Sequence, residues 1–74
     1  MKLHELEALA TERNCRAQWR EIRNGNSPFF GQRALFVNCV DNGRSTDYVG
    51  HYSHDEAQRL AAEWIVRNTV RRTM

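Results

Sequence analysis

Apolar residues change their spacing several times along this chain, and each change marks an element. Over residues 2–11, Leu3, Leu6 and Ala10 recur at three- and four-residue steps, with Leu9 widening the stripe. That spacing predicts a short amphipathic helix. A helix of about ten residues is marginal alone and must dock on something. Asn14 is its expected stop, because asparagine tolerates the left-handed backbone of a C-terminal cap. From Cys15 the period falls to two. Cys15, Ala17 and Trp19 alternate with Arg16, Gln18 and Arg20, as in a half-buried strand. The turn formers Asn24-Gly25-Asn26-Ser27-Pro28 end it. A second strand over residues 33–41 places Leu35, Val37 and Cys39 on one face. Ala34, Phe36, Asn38 and Val40 fall on the other, so it is apolar on both sides.

Two turn signals set the expected registers. A first hairpin symmetric about Ser27 puts Trp19 opposite Leu35, Ala17 opposite Val37 and Cys15 opposite Cys39. Asn42-Gly43 favours a two-residue type I′ turn, in which both central residues need positive φ. Asp41 then pairs with Arg44, and the third strand, residues 46–52, sets Tyr48 opposite Val37 and Val49 opposite Phe36. Ser53-His54-Asp55-Glu56 is a capping box ahead of a helical pattern. Ala57, Leu60, Ala61, Trp64, Ile65 and Asn68 form its apolar face, and the helix is expected to reach about Arg71. Trp19 and Trp64 are expected to meet in the core. The order predicts an α+β fold: a two-layer αβββα sandwich, a three-stranded antiparallel meander with both helices on one face.

Length and composition narrow the function more than they specify it. At 74 residues the chain is read as one domain, residues 1–74. A domain of this size buries only roughly 60% of its unfolded surface, and small domains more often present a surface than a deep cleft. No segment approaches the ~18 consecutive apolar residues of a membrane helix, and the start, Met1-Lys2-Leu3-His4-Glu5, is no apolar leader. A soluble, cytoplasmic protein with no membrane partner is the expectation. Two cysteines without C-x-x-C spacing are neither a disulfide scaffold nor a zinc motif.

One stretch resembles a known family. The third strand and second helix of double-stranded RNA-binding domains follow a pattern of glycine, any residue, a small or aromatic residue, then Ser-Lys-Lys-x-Ala-Lys and an Ala-Ala pair. Gly50-His51-Tyr52-Ser53-His54-Asp55-Glu56-Ala57-Gln58-Arg59-Leu60-Ala61-Ala62 is similar to that frame, with Gly50, Ser53, Ala57, Ala61 and Ala62 on matching positions. The resemblance covers most of the chain as element order and about a dozen residues as sequence. It implies the αβββα fold and, in the family, lysines that grip phosphates beside a minor-groove loop and the first helix. Here the lysine positions hold His54, Asp55 and Gln58. Glu56 adds negative charge, and the first helix carries Glu5 and Glu7. Carboxylates repel the phosphate backbone that lysines attract.

No nucleophile–base pair, paired-carboxylate site or phosphate-cradling loop is present as a motif, so no enzyme and no cofactor is expected. His4, His51 and His54 do not assemble four zinc ligands with the distant cysteines. With no activating group in evidence, Cys15 and Cys39 read as small buried hydrophobes. The informative surface is the sheet face turned away from the helices: Arg16, Gln18, Arg20, Ala34, Phe36, Asn38, Val49 and His51, with Ile22 at its end. Arginines beside an apolar strip have the composition of an interface core. Phe29 and Phe30 beside Pro28 form a second candidate anchor. The segment from Arg13 to Arg23 is the one concentrated basic stretch, with four arginines against one glutamate for a sum of +3. The expected function is a small non-enzymatic protein-binding module. A bacterial or phage accessory protein, an inhibitor or adaptor of a larger protein or nucleoprotein complex in the manner of anti-CRISPR proteins, fits that expectation. The alternatives are a divergent double-stranded nucleic-acid-binding domain using Arg16 and Arg20, and a homodimer pairing its sheet faces.

Overall fold

The computed structural model describes residues 1–50 and 52–69. It contains α1 (Leu3–Glu12), β1 (Cys15–Glu21), β2 (Arg33–Cys39), β3 (Ser45–Tyr48) and α2 (His54–Asn68). The strands form one antiparallel sheet in the order β1-β2-β3. α1 ends where expected: Asn14 takes φ +57, the left-handed conformation that lets the chain reverse directly into β1.

Both helices bury their apolar stripes on the same sheet face. Leu6 and Ala10 of α1 meet Cys15 and Ala17 of β1, Leu35, Val37 and Cys39 of β2, and Ala57, Ala61, Ala62 and Ile65 of α2. Three alanines on α2 let its backbone approach the sheet closely, while Leu6, Leu35, Val37 and Ile65 fill the volume between the layers. Leu9, Trp19, Tyr48 and Trp64 close the rim. The β1–β2 register is the symmetric one, with Cys15 opposite Cys39, Ala17 opposite Val37 and Trp19 opposite Leu35.

The β2–β3 register differs from the expected one by two residues: Tyr48 lies opposite Leu35, Asp47 opposite Phe36 and Thr46 opposite Val37. The cause lies in α1's exit. The Val40 N–H donates to the Asn14 carbonyl at 3.1 Å, and Asn14 Nδ2 donates to Asp41 Oδ1 at 2.7 Å. The first bond adds one more rung to the β1–β2 ladder; the second holds Asp41 toward the α1–β1 junction and takes it off the β2–β3 ladder. The Cys39 N–H then donates to Arg44 at 2.8 Å, closing a loop over residues 40–43. Gly43 takes φ +69, but Asn42 is not in the left-handed region, so the type I′ turn does not form. Asn42 instead uses its side chain, Oδ1 accepting from the Arg44 N–H at 2.9 Å and Nδ2 donating to the Asn68 carbonyl at 3.0 Å. A slip of two residues preserves strand parity, so every β3 side chain keeps its expected face.

β3 is also shorter than expected, ending at Tyr48, because Gly50 turns the chain with φ +90. α2 stops at Asn68 rather than near Arg71. Asn42 takes its terminal carbonyl, Arg44 Nη1 reaches Asn68 Oδ1 at 3.0 Å, and Thr69 is extended. Arg71 and Arg72 lie outside the described residues. At the other end Ser53 caps the helix, its Oγ accepting from the Glu56 N–H at 3.1 Å. Ser53→Ala removes that acceptor, and urea titration is expected to show a loss of about 1 kcal/mol. An unchanged midpoint would mean that the helix start is held by tertiary contacts alone.

Trp19 and Trp64 do not occupy one site. The Trp19 ring lies 4.4 Å from His54, centroid to centroid, and its Nε1 donates to Gln58 Oε1 at 3.1 Å. At 1.5 Å rise per residue, Trp64 sits about 9 Å further along α2 than Gln58. Among the described residues no helix is long and apolar enough to cross a membrane.

Candidate functional site: the open sheet face

With both helices on one side of the sheet, the alternating outward positions of β1 and β2 form the opposite face. Arg16, Gln18 and Arg20 are exposed on β1, Phe36 is half-buried and Asn38 exposed on β2, and Ser45 and Asp47 are exposed on β3. Arg16 faces Asn38, Gln18 faces Phe36 and Arg20 faces Ala34 across the β1–β2 ladder. The Arg20 guanidinium carbon lies 5.9 Å from the centre of the Phe36 ring, a cation–π contact reached diagonally across the strands. The ring is thereby held on the sheet with an edge still accessible, and the guanidinium keeps donors free for an acceptor.

Two shallow depressions flank this pair. One, of about 470 Å³, runs from Arg20 and Phe36 to Arg23 and Asn24. The other, of about 410 Å³, runs from the same pair over Asn38, Ser45 and Asp47. Arg20 and Phe36 therefore form a ridge between two recesses, each bordered by polar side chains.

Two expected members of the face are placed differently. Val49 lies beyond the end of β3, half-buried, and Asp47 occupies the position opposite Phe36 that the type I′ register assigned to it. A carboxylate therefore stands where an apolar side chain was expected. Ala34 has the outward parity but is fully buried and contributes no surface. His51 lies outside the described residues. Ile22 is half-buried at the end of the face.

The two loop phenylalanines divide. Ser27 organises the turn, its Oγ accepting from the Phe29 N–H at 3.1 Å and its carbonyl from the Phe30 N–H at 3.2 Å. Phe29 turns inward, its ring against the Gly50 backbone. Phe30 points outward and is 60% exposed. Of the pair, Phe30 is the one able to anchor a partner.

Gln58 is the polar residue that pattern reading missed. It is 6% exposed, accepts from Trp19 Nε1 at 3.1 Å and donates through Nε2 to the Met1 carbonyl at 2.6 Å. One amide thus joins α2, β1 and the N-terminal residue. The available signal was helical spacing, since positions 58, 62 and 65 share a stripe.

The start of α2 carries no free cation. His54 is against Trp19, the Asp55 carboxylate pairs with the Met1 amino group at 3.0 Å, and Gln58 is buried. The positions where the resembling family places lysines are therefore tied into the chain's own contacts. Elsewhere, Cys15 and Cys39 are buried free thiols. Burial first, and the adjacent Cys39 second, push the Cys15 thiol up to about 12, so it is protonated near neutral pH. No cluster of three or more metal-ligating side chains occurs among the described residues.

No protein-family model, curated protein or solved structure matches the chain.

Proposed function

We propose that this chain is a protein-binding module that docks through its open sheet face and performs no chemistry of its own. The observation that carries the reading is the Arg20–Phe36 pair. An aromatic ring and a guanidinium with unused donors stand between two recesses, inside a border of Gln18, Asn38, Ser45 and Asp47. Arginine and large aromatics supply most hot-spot energy, and a polar border that excludes water around them is the usual setting. A stoichiometric role, as inhibitor or adaptor of a larger protein or nucleoprotein assembly, follows from a small rigid surface without a reactive group. That role is also the one in which a bacterial or phage accessory protein, of the anti-CRISPR type, would use such a surface.

Duplex nucleic acid is the second reading. Arg16 and Arg20 favour it, as does the αβββα order shared with double-stranded RNA-binding domains. Asp47 on the same face and the acidic start of α2 oppose it, because each adds repulsion to a phosphate backbone.

The test compares two measurements on one set of proteins. Anisotropy against labelled duplex RNA and DNA at low salt is expected to show no saturable binding. Affinity capture with the tagged chain, followed by identification and titration of the captured protein, is expected to give binding that Phe36→Ala or Arg20→Ala weakens at least about tenfold, with circular dichroism unchanged. Tight duplex binding that falls steeply with salt and is lost in Arg16→Ala would replace this reading with the second. A concentration-dependent dimer in sedimentation, abolished by Phe36→Asp, would assign the face to a second copy of the chain.

A further inference from the structure

Cys15 and Cys39 hold an unusual relationship for two buried free thiols. They are directly opposed across the β1–β2 ladder, and their Sγ atoms are 3.3 Å apart. The ladder fixes the kind of pair they form. The Val40 N–H donates to the Asn14 carbonyl, one residue outside each cysteine. Cys15 and Cys39 are therefore a non-hydrogen-bonded pair, the kind in which opposing Cα atoms lie about 4.5 Å apart and side chains come closest. That spacing is within the roughly 4.4–6.8 Å that a disulfide spans. β1 is an edge strand, and Cys15 lines a groove of about 210 Å³ between α1 and β1, bordered by Glu7, Thr11, Arg16 and Gln18. Cys15 is itself only 5% exposed, so its sulfur is reached by local opening of this edge of the sheet.

We propose that Cys15 and Cys39 are a redox couple that closes to a disulfide, stapling the start of β1 to the central strand. The co-reactant is a low-molecular-weight disulfide such as oxidised glutathione. The Cys15 thiol loses its proton and its sulfur attacks one glutathione sulfur, breaking that S–S bond and releasing one glutathione thiol. Cys39, deprotonated in turn, attacks Cys15 Sγ in the mixed disulfide and releases the second. Two protein thiols are oxidised by two electrons, and one glutathione disulfide is reduced to two thiols. Opening of the edge strand beside the groove gives the reagent access to Cys15, and the in-register partner stands ready to displace it. Burial keeps the first step slow near neutral pH and faster as pH rises, since the thiolate is the attacking form.

The closed loop runs from residue 15 to residue 39. Constraining it in the unfolded chain stabilises the fold, and the thermal midpoint is expected to rise by on the order of 10 °C. The test equilibrates the whole chain with oxidised glutathione at mildly alkaline pH, quenches in acid, and alkylates under denaturing conditions. The expected product is a monomer lighter by two hydrogens, with no alkylatable thiol and a raised midpoint, all reversed by dithiothreitol. Cys15→Ser and Cys39→Ser cannot close and are expected to show no such rise. Two fully alkylatable thiols at equilibrium, a stable glutathione adduct on one cysteine, or disulfide-linked dimers would each overturn the proposal. So would an equal rise in midpoint in a single-cysteine variant.

Discussion

Leu35→Ala is expected to lower the unfolding free energy by about 2–5 kcal/mol. Leu35 is fully buried on the central strand, opposite Trp19 on one side and Tyr48 on the other, within the cluster that both helices share. Truncation removes three carbons from the contact between the layers and leaves a cavity that two flanking strands prevent from collapsing. A domain of this size has a total margin of roughly 4–11 kcal/mol at 0.05–0.15 kcal/mol per residue. The loss is therefore a large share of the whole. Urea and thermal unfolding would register it as a midpoint lowered by more than about 10 °C. The neighbouring Phe36→Ala is the internal comparison. Its ring is larger but half-buried on the open face, so its cost is expected to be the smaller of the two. If Phe36→Ala cost as much as Leu35→Ala, the open face would be a second core rather than a docking surface.

The inner and outer faces of the strands are legible in the sequence itself. Alternation by two at Cys15, Ala17 and Trp19, and again at Leu35, Val37 and Cys39, assigns each strand its inner face. The shared parity then aligns the first hairpin. Local signals of this kind survive because burial, turn length and pairing all demand the same answer. The Ser53 cap and the Asn14 stop were legible for the same reason.

The second hairpin was less legible because a long-range contact competes with a local one. Asn42-Gly43 is a strong hairpin signal in isolation, but α1 ends beside the same loop. The Asn14 side chain donates to Asp41, and α2 ends where Asn42 can reach its last carbonyl. Two tertiary hydrogen bonds, one on Asp41 and one on Asn42, outweigh the preference of one turn, and the register moves by two. The consequence for the site is specific. Parity, and with it the membership of Arg16, Gln18, Arg20, Phe36 and Asn38, survives the slip, whereas the residue opposite Phe36 changes from Val49 to Asp47. The rotation of α2 was hidden for a related reason. Hydrophobicity places Leu60 on the buried stripe, but Gln58 is buried while Leu60 is half-exposed. A polar residue enters a core when partners await it, and Trp19 Nε1 and the Met1 carbonyl are not visible from spacing.

Gly50→Ala is expected to cost about 2–3 kcal/mol through two separable terms. The first is backbone: Gly50 has φ +90, where an L side chain is strained by roughly 1–2 kcal/mol. The second is steric: a Cβ built there would lie 3.1 Å from Phe29 Cε1, closer than ordinary carbon contact. The Phe29 ring must then move, and it shares its turn with the exposed Phe30. A double-mutant cycle divides the terms. In a Phe29→Ala background the steric part vanishes, so Gly50→Ala is expected to cost only the backbone part, and the coupling read by urea unfolding gives the difference. Full additivity would show that the ring yields freely, and that the loop carrying Phe30 is not braced by Gly50. Coupling of about 1 kcal/mol or more would show that Phe29 is the brace. Phe30 would then be presented by a fixed loop, so its ordering cost on docking would already have been met in folding.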